Sequence, residues 1–374
     1  MKRLDSLDAF RGLTIAGMIL VNNPGSWAHA YPPLLHAPWH GWTPTDLIFP
    51  FFLFIVGVAM PFSFAGRLER GASRRDLMVH VVQRSVILVL LGLAMAAIPR
   101  FDFANLRIPG VLQRIGVVYL VAAPVFLFMG HRARAVLTAT ILVVYWAVMA
   151  LWPVPGFGAG LLTPEGNPAA WLDRLLLDGH LWSQSRTWDP EGILSTMPAV
   201  ATCLLGVFTG ERLRSWSVTG DLDEAGPAGK LATWGVGLGA AGLLWGVWFP
   251  INKNLWTSSY VLFTAGAAMV LLAGFHWIMD VHGRKRWAMP FLIYGRNALA
   301  VFVASGMVAK ALILSPAPGG EAAGTSSAYG WIYQSVFLPW ASPKNASLLF
   351  ALATVLAWGL VLFWLDRKRI YIKV

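Results

Sequence analysis

Long apolar stretches separated by short polar loops run along the whole sequence. Most of them reach the roughly 20 residues that a helix needs to cross a bilayer. None shows sustained alternation of apolar and polar positions, which argues against membrane strands. The pattern predicts an all-α fold, a polytopic integral membrane helical bundle of about ten transmembrane helices. The predicted segments are 9–24, 45–65, 82–99, 110–129, 134–152, 193–212, 231–250, 257–280, 289–313 and 345–366.

Lysine and arginine concentrate in alternate loops, such as 67–84 and 284–286. Because cytoplasmic loops carry the excess of these residues, both termini are predicted to be cytoplasmic. Loops 29–42 and 153–192 then face outward. No soluble segment of useful size interrupts the pattern, so residues 1–374 are predicted to form a single transmembrane domain. The short aromatic stretch 328–340 is typical of an interfacial or re-entrant piece.

Composition supports this interpretation and excludes others. The chain is 57% hydrophobic and 13% charged, against about 25% charged in soluble domains. Its net charge of +11 is accounted for by the basic loops, so no nucleic-acid partner is predicted. The single cysteine, Cys203, excludes an intrachain disulfide and a multi-cysteine metal site. No phosphate-binding or soluble-hydrolase motif occurs in a suitable context.

Polar residues at the ends of the first segment suggest a site, because such groups are costly at membrane depth without partners. Asp8 and Arg11 are spaced to share a helix face. They could simply pair, or they could bind a polar ligand entering from the cytoplasm. Asn22 follows roughly 21 Å further along the helix. Its amide could stabilise an oxyanion, or it could belong to the Asn-Asn-Pro-Gly turn.

The outward loop carries His36, which could act as a general base or as a nucleophile. It could also be a structural interfacial histidine. Asp46 could orient His36, or it could be an ordinary charge at a helix start. His29, His36 and His40 could together supply three zinc ligands, but their spacing is weak evidence for a zinc site. No metal is predicted.

Further polar clusters lie at the edges of later segments. Arg84, Gln113, Arg114, Arg296 and Asn297 are candidates for binding a phosphate-bearing cofactor. The outward loops offer a second set of polar side chains, candidates for binding an acceptor substrate: Asp189, Glu191, Asn252, Lys253 and Asn254. The pair Asp189 and Glu191 could alternatively begin a helix.

Eight motifs occur in the order found in one family. They are LDAFRG, ILVNN, HAPWHG, DLIFPFFLFIVG, RIPGVLQRIG, DPEGIL, NKNLWTSSYVL and YGRNALAVF. Together they span residues 7–302. The sequence thereby resembles heparan-α-glucosaminide N-acetyltransferase and its bacterial NagX-like relatives. It differs in the loop between Asn22 and His36, which is longer and proline-rich where the family often has a glycine-rich turn.

The resemblance implies transmembrane acetyl transfer from cytosolic acetyl-CoA, as co-substrate, to the amine of a glucosamine-type sugar on the far side. His36 and Asn22 match the family's active-site residues. Asp46 matches the aspartate of the DL-x-FP motif. Asp8 and Arg11 match the pair that lines the path of coenzyme A. The implied location is a bacterial inner membrane. Membrane lipids surround the helices, and the active-site loop faces the periplasm.

Two other functions remain open from the sequence. A polytopic transporter of an amino sugar or acetylated sugar would also use intramembrane charges and a broad outer loop. A polyprenyl-linked sugar acyltransferase would perform the same chemistry on a lipid acceptor. A homodimer is possible, as the family suggests.

Overall fold

The computed structural model of the chain describes residues 4–221, 225–318, 325 and 327–372. These residues form helices and no strand, with two isolated β-bridges. The all-α prediction is therefore confirmed. The helices are α1 (Asp5–Asn22), α2 (Pro44–Leu68), α3 (Arg74–Ala97), α4 (Val111–Phe128), α5 (His131–Leu151), α6 (Pro168–Leu177), α7 (Ile193–Thr219), α8 (Ala225–Trp245), α9 (Ser258–His276), α10 (Met289–Arg296), α11 (Ala298–Leu314), α12 (Ala328–Ile332) and α13 (Pro343–Arg367).

Seven spans in the described part of the chain are long and apolar enough to cross a membrane. They comprise α2, α3, α4, α5, α7, α13 and the span Ser258–Val281, in which a π-helical turn extends α9. An eighth span arises if α10 and α11 count together, although they are bent by 73° at their junction. Each predicted segment contains a helix. The number of ten crossings and the cytoplasmic termini stay predictions.

The contacts divide the chain into two compact units. The first unit contains Pro38–Gly41 and Pro50–His282, and the second contains Leu4–Ala37, Trp42–Phe49 and the chain from Gly283 onward. The division falls within α2. The single transmembrane domain over 1–374 stays a prediction.

In the first unit, α2 and α7 approach so closely that only glycine fits between them. A side chain at Gly57 would lie 2.0 Å from the Cys203 carbonyl oxygen, and one at Gly206 would lie 2.1 Å from that of Phe54. Small residues of this kind allow membrane helices to pack backbone to backbone. Thirteen of the 27 residues of α7, the helix that begins directly after the DPEG motif, are buried.

In the second unit, the proline-rich loop after α1 is anchored on α12 and α13. The Ser347 backbone accepts the Gly25 N–H at 3.3 Å, and the Tyr329 hydroxyl donates to the Pro24 carbonyl at 2.9 Å. The Tyr31 hydroxyl donates to Asn345 at 2.5 Å. The short aromatic stretch predicted as an interfacial piece therefore helps to hold this loop.

The same unit contains a sharp break at Asn297, between α10 and α11. The Asn297 amide donates to the Ile370 carbonyl at 3.2 Å, and its oxygen accepts the Ile372 N–H at 2.8 Å. Beside it, Arg296 donates to Asp366 at 2.6 Å. Polar groups exposed by a broken helix need partners at membrane depth, and the C-terminal segment supplies them here.

α1 packs tightly against α10 at Gly12, and replacement of this glycine by alanine is expected to destabilise the second unit. The added Cβ would lie 1.7 Å from the Phe291 carbonyl oxygen, so the helices must separate. Forced overpacking of this kind costs about 1–3 kcal/mol. Gly17→Ala is the matched control on the same helix, because its Cβ would meet only Ile48 Cδ1 at 3.5 Å. Thermal unfolding in detergent should show a lower Tm for G12A alone. Equal Tm values for both variants would contradict the prediction.

Candidate active site

His36 and Asp46 form a directly bonded pair in the second unit. His36 Nδ1 lies 2.6 Å from Asp46 Oδ1. An ionised carboxylate can only accept, so Nδ1 carries the hydrogen and Nε2 has the lone pair. The Asp46 side chain is 1% exposed, whereas that of His36 is 46% exposed. Asp46 is therefore the buried, fixed partner, and His36 is the more exposed one.

The second oxygen of Asp46 is held by three donors, which fix the carboxylate in place. Oδ2 accepts the backbone N–H of Ala37 at 3.0 Å and that of Thr43 at 2.9 Å. The Thr43 hydroxyl lies at 3.1 Å from the same oxygen. Because α2 begins at Pro44, Asp46 stands at the position whose side chain commonly caps a helix start. The same carboxylate thus caps α2 and orients His36.

Asn22 and Asn23 have different environments at the end of α1. The Asn23 side chain is buried and donates to the Ile19 carbonyl at 2.7 Å, one turn back. Asn22 is exposed, and its side chain makes no hydrogen bond with the described residues. The turn therefore uses Asn23, which leaves the Asn22 amide available to a ligand.

Asp8 and Arg11 pair at the other end of α1, where Arg11 Nη1 donates to Asp8 Oδ1 at 2.9 Å. The predicted shared face is confirmed. α10 packs against this end, since a side chain on Gly295 would meet the Asp8 carbonyl oxygen at 2.1 Å. Arg296 and Asn297, which follow directly, bind the C-terminal segment. The cofactor-binding role of these four residues stays a prediction.

The first unit brings the two acids of the DPEG motif to one arginine. Arg107 donates through Nε and Nη2 to the two oxygens of Asp189, at 2.8 and 2.7 Å. Its Nη2 also lies 2.5 Å from Glu191 Oε2. Burial alone lowers the pKa of Arg107, but the bonds to both acids raise it overall. For Glu191, burial raises the pKa, and the positive charges of Arg107 and Lys253 lower it overall.

Arg114, predicted to bind the cofactor, lies in this cluster. It is buried and donates to the Gly192 carbonyl and to the Ser195 hydroxyl. Its guanidinium also lies 5.0 Å from the Trp256 ring centroid. Arg114 thus contacts the start of α7 next to Asp189 and Glu191, and its cofactor-binding role stays a prediction.

Sequence analysis did not identify Asp173, although it organises the DPEG turn. This α6 residue is 1% exposed and accepts the backbone N–H groups of Ile193 at 2.9 Å and Asp189 at 3.3 Å. Nothing in its local sequence, WLDRLLL, distinguishes it from a surface acid. Burial raises its pKa to about 6, against the opposing effect of these two bonds.

Asp173 should make stability depend on pH. Its native pKa of about 6 lies above the ordinary 3.8, so the native state binds more protons between these values. Stability then falls as pH rises from about 4 to about 6, by roughly 3 kcal/mol. Thermal unfolding across this range should show the slope in the wild type and a smaller slope in Asp173→Asn. The same slope in both proteins would contradict the assignment to Asp173.

Asn252 shapes the loop before α9 through both polar atoms of its side chain. Oδ1 accepts the Leu255 N–H at 2.9 Å, and Nδ2 lies 3.3 Å from His40 Nδ1. Lys253 and Asn254 are half-buried beside it. Their acceptor-binding role and that of Asn252 stay predictions.

Arg84 and Gln113 are both in contact with neighbouring groups of the first unit. The Arg84 guanidinium lies 5.3 Å from the Tyr119 ring centroid. The Gln113 amide fills the space over Gly92 and Gly110, where an added Cβ would meet its Oε1 at 2.1 and 2.6 Å. Their cofactor-binding role stays a prediction.

Comparison with known proteins identifies the relatives of this chain. A model of the family described as heparan-alpha-glucosaminide N-acetyltransferase, catalytic, matches residues 3–245. The mouse heparan-alpha-glucosaminide N-acetyltransferase is 31% identical over 80% of this chain and 53% of its own length. The human protein of the same name is 32% identical over 80% of this chain and 52% of its own length. The chain thus spans about half the length of these relatives, and it belongs to the heparan-alpha-glucosaminide N-acetyltransferase catalytic family.

Proposed function

We propose that this protein is a transmembrane N-acetyltransferase. It moves the acetyl group of cytosolic acetyl-CoA to the amine of a glucosamine-type sugar on the periplasmic side of a bacterial inner membrane. The observation that carries the proposal is the bond between His36 and the buried carboxylate of Asp46. Membership in the family supports the reaction class, because both matched relatives are named for N-acetyl transfer to a glucosaminide.

The reaction needs a base, because the attacking amine must lose a proton to become an amide. His36 Nε2 takes a proton from the acceptor amine as its nitrogen attacks the thioester carbonyl carbon. The imidazolium that forms is stabilised by Asp46 at Nδ1. The tetrahedral intermediate collapses, the carbon–sulfur bond breaks, and the coenzyme A thiolate takes the proton from His36 Nε2, which restores the neutral imidazole.

Negative charge develops on the carbonyl oxygen during this attack. In the proposed mechanism the Asn22 amide donates a hydrogen bond to that oxygen. Since Asn23 serves the turn, the Asn22 side chain can take this role without loss of local structure.

In this proposal, one set of polar residues at the helix ends binds the donor, and another set binds the sugar. Asp8 and Arg11 line the path of the pantetheine arm. Arg84, Gln113, Arg114, Arg296 and Asn297 are further candidates for binding the donor. The acetyl-bearing arm alone must reach the far side, so the charged nucleotide never enters the hydrocarbon layer. Asp189, Glu191, Asn252, Lys253 and Asn254 are the candidates for binding the sugar.

The function is tested with purified protein in detergent, acetyl-CoA and glucosamine, by measuring free thiol. We expect thiol release that depends on the sugar and is lost in His36→Ala. His29→Ala is the matched control, because His29 lies in the same loop, is exposed and is bonded only to Ser26. Full activity in H36A would overturn the assignment of the base. No thiol release with any amino sugar would overturn the proposal that the protein is an acetyltransferase. Transport of unmodified sugar would then identify a transporter.

A covalent route through His36 has a separate signature. If Nε2 itself attacks the thioester, acetyl-histidine forms and coenzyme A leaves before the acceptor binds. A burst of one thiol per protein without sugar would indicate this route. The direct transfer proposed here predicts no burst.

A further inference from the structure

A groove runs between α5, α7, α8 and α9 in the first unit, at the end predicted to face the cytoplasm. Its volume is about 350 Å³, within the range of ligand pockets, about 300–1,000 Å³. Leu205, Phe208, Leu238 and Met269 line it, while His131 and Arg212 lie at one end. The groove is therefore apolar along its length and cationic at its rim.

Arg212 gives this rim its positive charge. Its guanidinium lies 6.0 Å from the Trp234 ring centroid, and Trp234 stacks on Trp216 with the ring planes 18° apart. The described residues supply Arg212 with no hydrogen-bond acceptor. The stacked rings hold the guanidinium beside the groove while its N–H groups remain able to bind an anion.

The acid nearest to Arg212 in sequence is already engaged. Glu211 accepts from Arg134 at 2.7 Å and lies 3.3 Å from His131 Nδ1. A second cation, Arg132, is exposed on α5. Among the described acids, Asp221 is bonded to the Thr219 hydroxyl at 2.7 Å. The described residues at the rim therefore carry more positive than negative charge.

The surroundings of the groove select the kind of ligand. α5 and α7 are candidate membrane spans, as is the span that contains α9, so the flank of the groove would meet acyl chains. Val136 on α5 is 66% exposed and Val236 on α8 is 62% exposed, as expected of lipid-facing positions. A ligand that combines an acyl chain with a phosphate would satisfy both parts of the groove.

We propose that this groove is a binding site for an anionic phospholipid. Its phosphate binds Arg212, and one acyl chain lies along Leu205, Phe208, Leu238 and Met269. Because α5, α7, α8 and α9 all contact it, the bound lipid would fasten these four helices together.

The test measures thermal unfolding of the detergent-solubilised protein with added phosphatidylglycerol or phosphatidylcholine. We expect phosphatidylglycerol to raise the Tm more, and Arg212→Ala to weaken its apparent affinity about fivefold, as for one charge near an anionic surface. Arg75→Ala is the matched control, since it removes an exposed arginine at the start of α3 that does not line the groove. Ala135→Trp fills the groove without changing charge, and it should reduce the effect of both lipids.

Three results would overturn the proposal. The first is equal stabilisation by the two lipids. The second is a full preference for phosphatidylglycerol in R212A. The third is an equal shift from soluble glycerol phosphate, which would indicate an anion site without an acyl chain. If A135W has a lower Tm than the wild type without lipid, this variant is destabilised by itself. The comparison of R212A with R75A then decides whether the groove binds the lipid.

Discussion

Asp46→Asn is expected to lower the rate of acetyl transfer on the order of 10²–10⁴-fold, the usual contribution of a general base. The reason is the tautomer of His36. Oδ2 of Asp46 accepts three donors, so the amide oxygen of the asparagine takes that position. Its NH₂ group then faces His36 Nδ1, which must accept. The hydrogen moves to Nε2, and that nitrogen can no longer take a proton.

The measurement is the steady-state rate of thiol release at several pH values. Because geometry is preserved, kcat should fall while KM for the donor stays close to that of the wild type. Thr43→Val is the control, since it removes the hydroxyl that contacts Asp46 at 3.1 Å and donates to the Leu35 carbonyl at 2.6 Å, but leaves the bond to His36 intact. A large loss in T43V with little loss in D46N would refute the tautomer argument.

Arg107→Met is expected to give the largest loss of stability. It leaves the carboxylates of Asp189 and Glu191, which are 0% and 6% exposed, without the guanidinium that binds both. Removing one partner of such a buried pair costs about 3–5 kcal/mol. The Tm in detergent should fall accordingly, and less protein should elute as a single species in gel filtration.

Two further variants separate this effect from a general loss of charge. Arg100→Met removes an exposed arginine nearby in sequence and should change stability by about 0.5 kcal/mol or less. Adding Asp189→Asn and Glu191→Gln to R107M removes the unpaired charges and should recover part of the loss. A wild-type Tm in R107M alone would show that this ion pair does not stabilise the unit.

The sequence predicted the helices well because membrane helices are long and continuously apolar. The pairing of Asp8 with Arg11 was also predictable, since it depends only on helix spacing. The break at Asn297 was not, because the ninth segment is apolar on both sides of it. Its partners, Ile370 and Ile372, act through backbone groups, which leave no trace in the residue pattern.

In the candidate site, too, only contacts between residues close in sequence were predictable. His36 and Asp46 are close in sequence, and a helix start at Asp46 already suggested a fixed carboxylate. Asp173 was missed because it accepts backbone N–H groups from the DPEG turn and the start of α7. The same is true of Ser347, whose backbone and hydroxyl hold the loop before His36. Contacts of this kind depend on distant parts of the chain.

The close approach of α1 and α10 has a consequence for biosynthesis. Gly12 emerges from the ribosome more than two hundred residues before Phe291 and Gly295. Until then α1 lacks the helix that packs against its backbone at Asp8 and Gly12. The unit that contains His36 and Asp46 can therefore form only after α10 has been synthesised. A ribosome that stops before α10 would release a chain without this packed unit, which quality-control proteases can recognise.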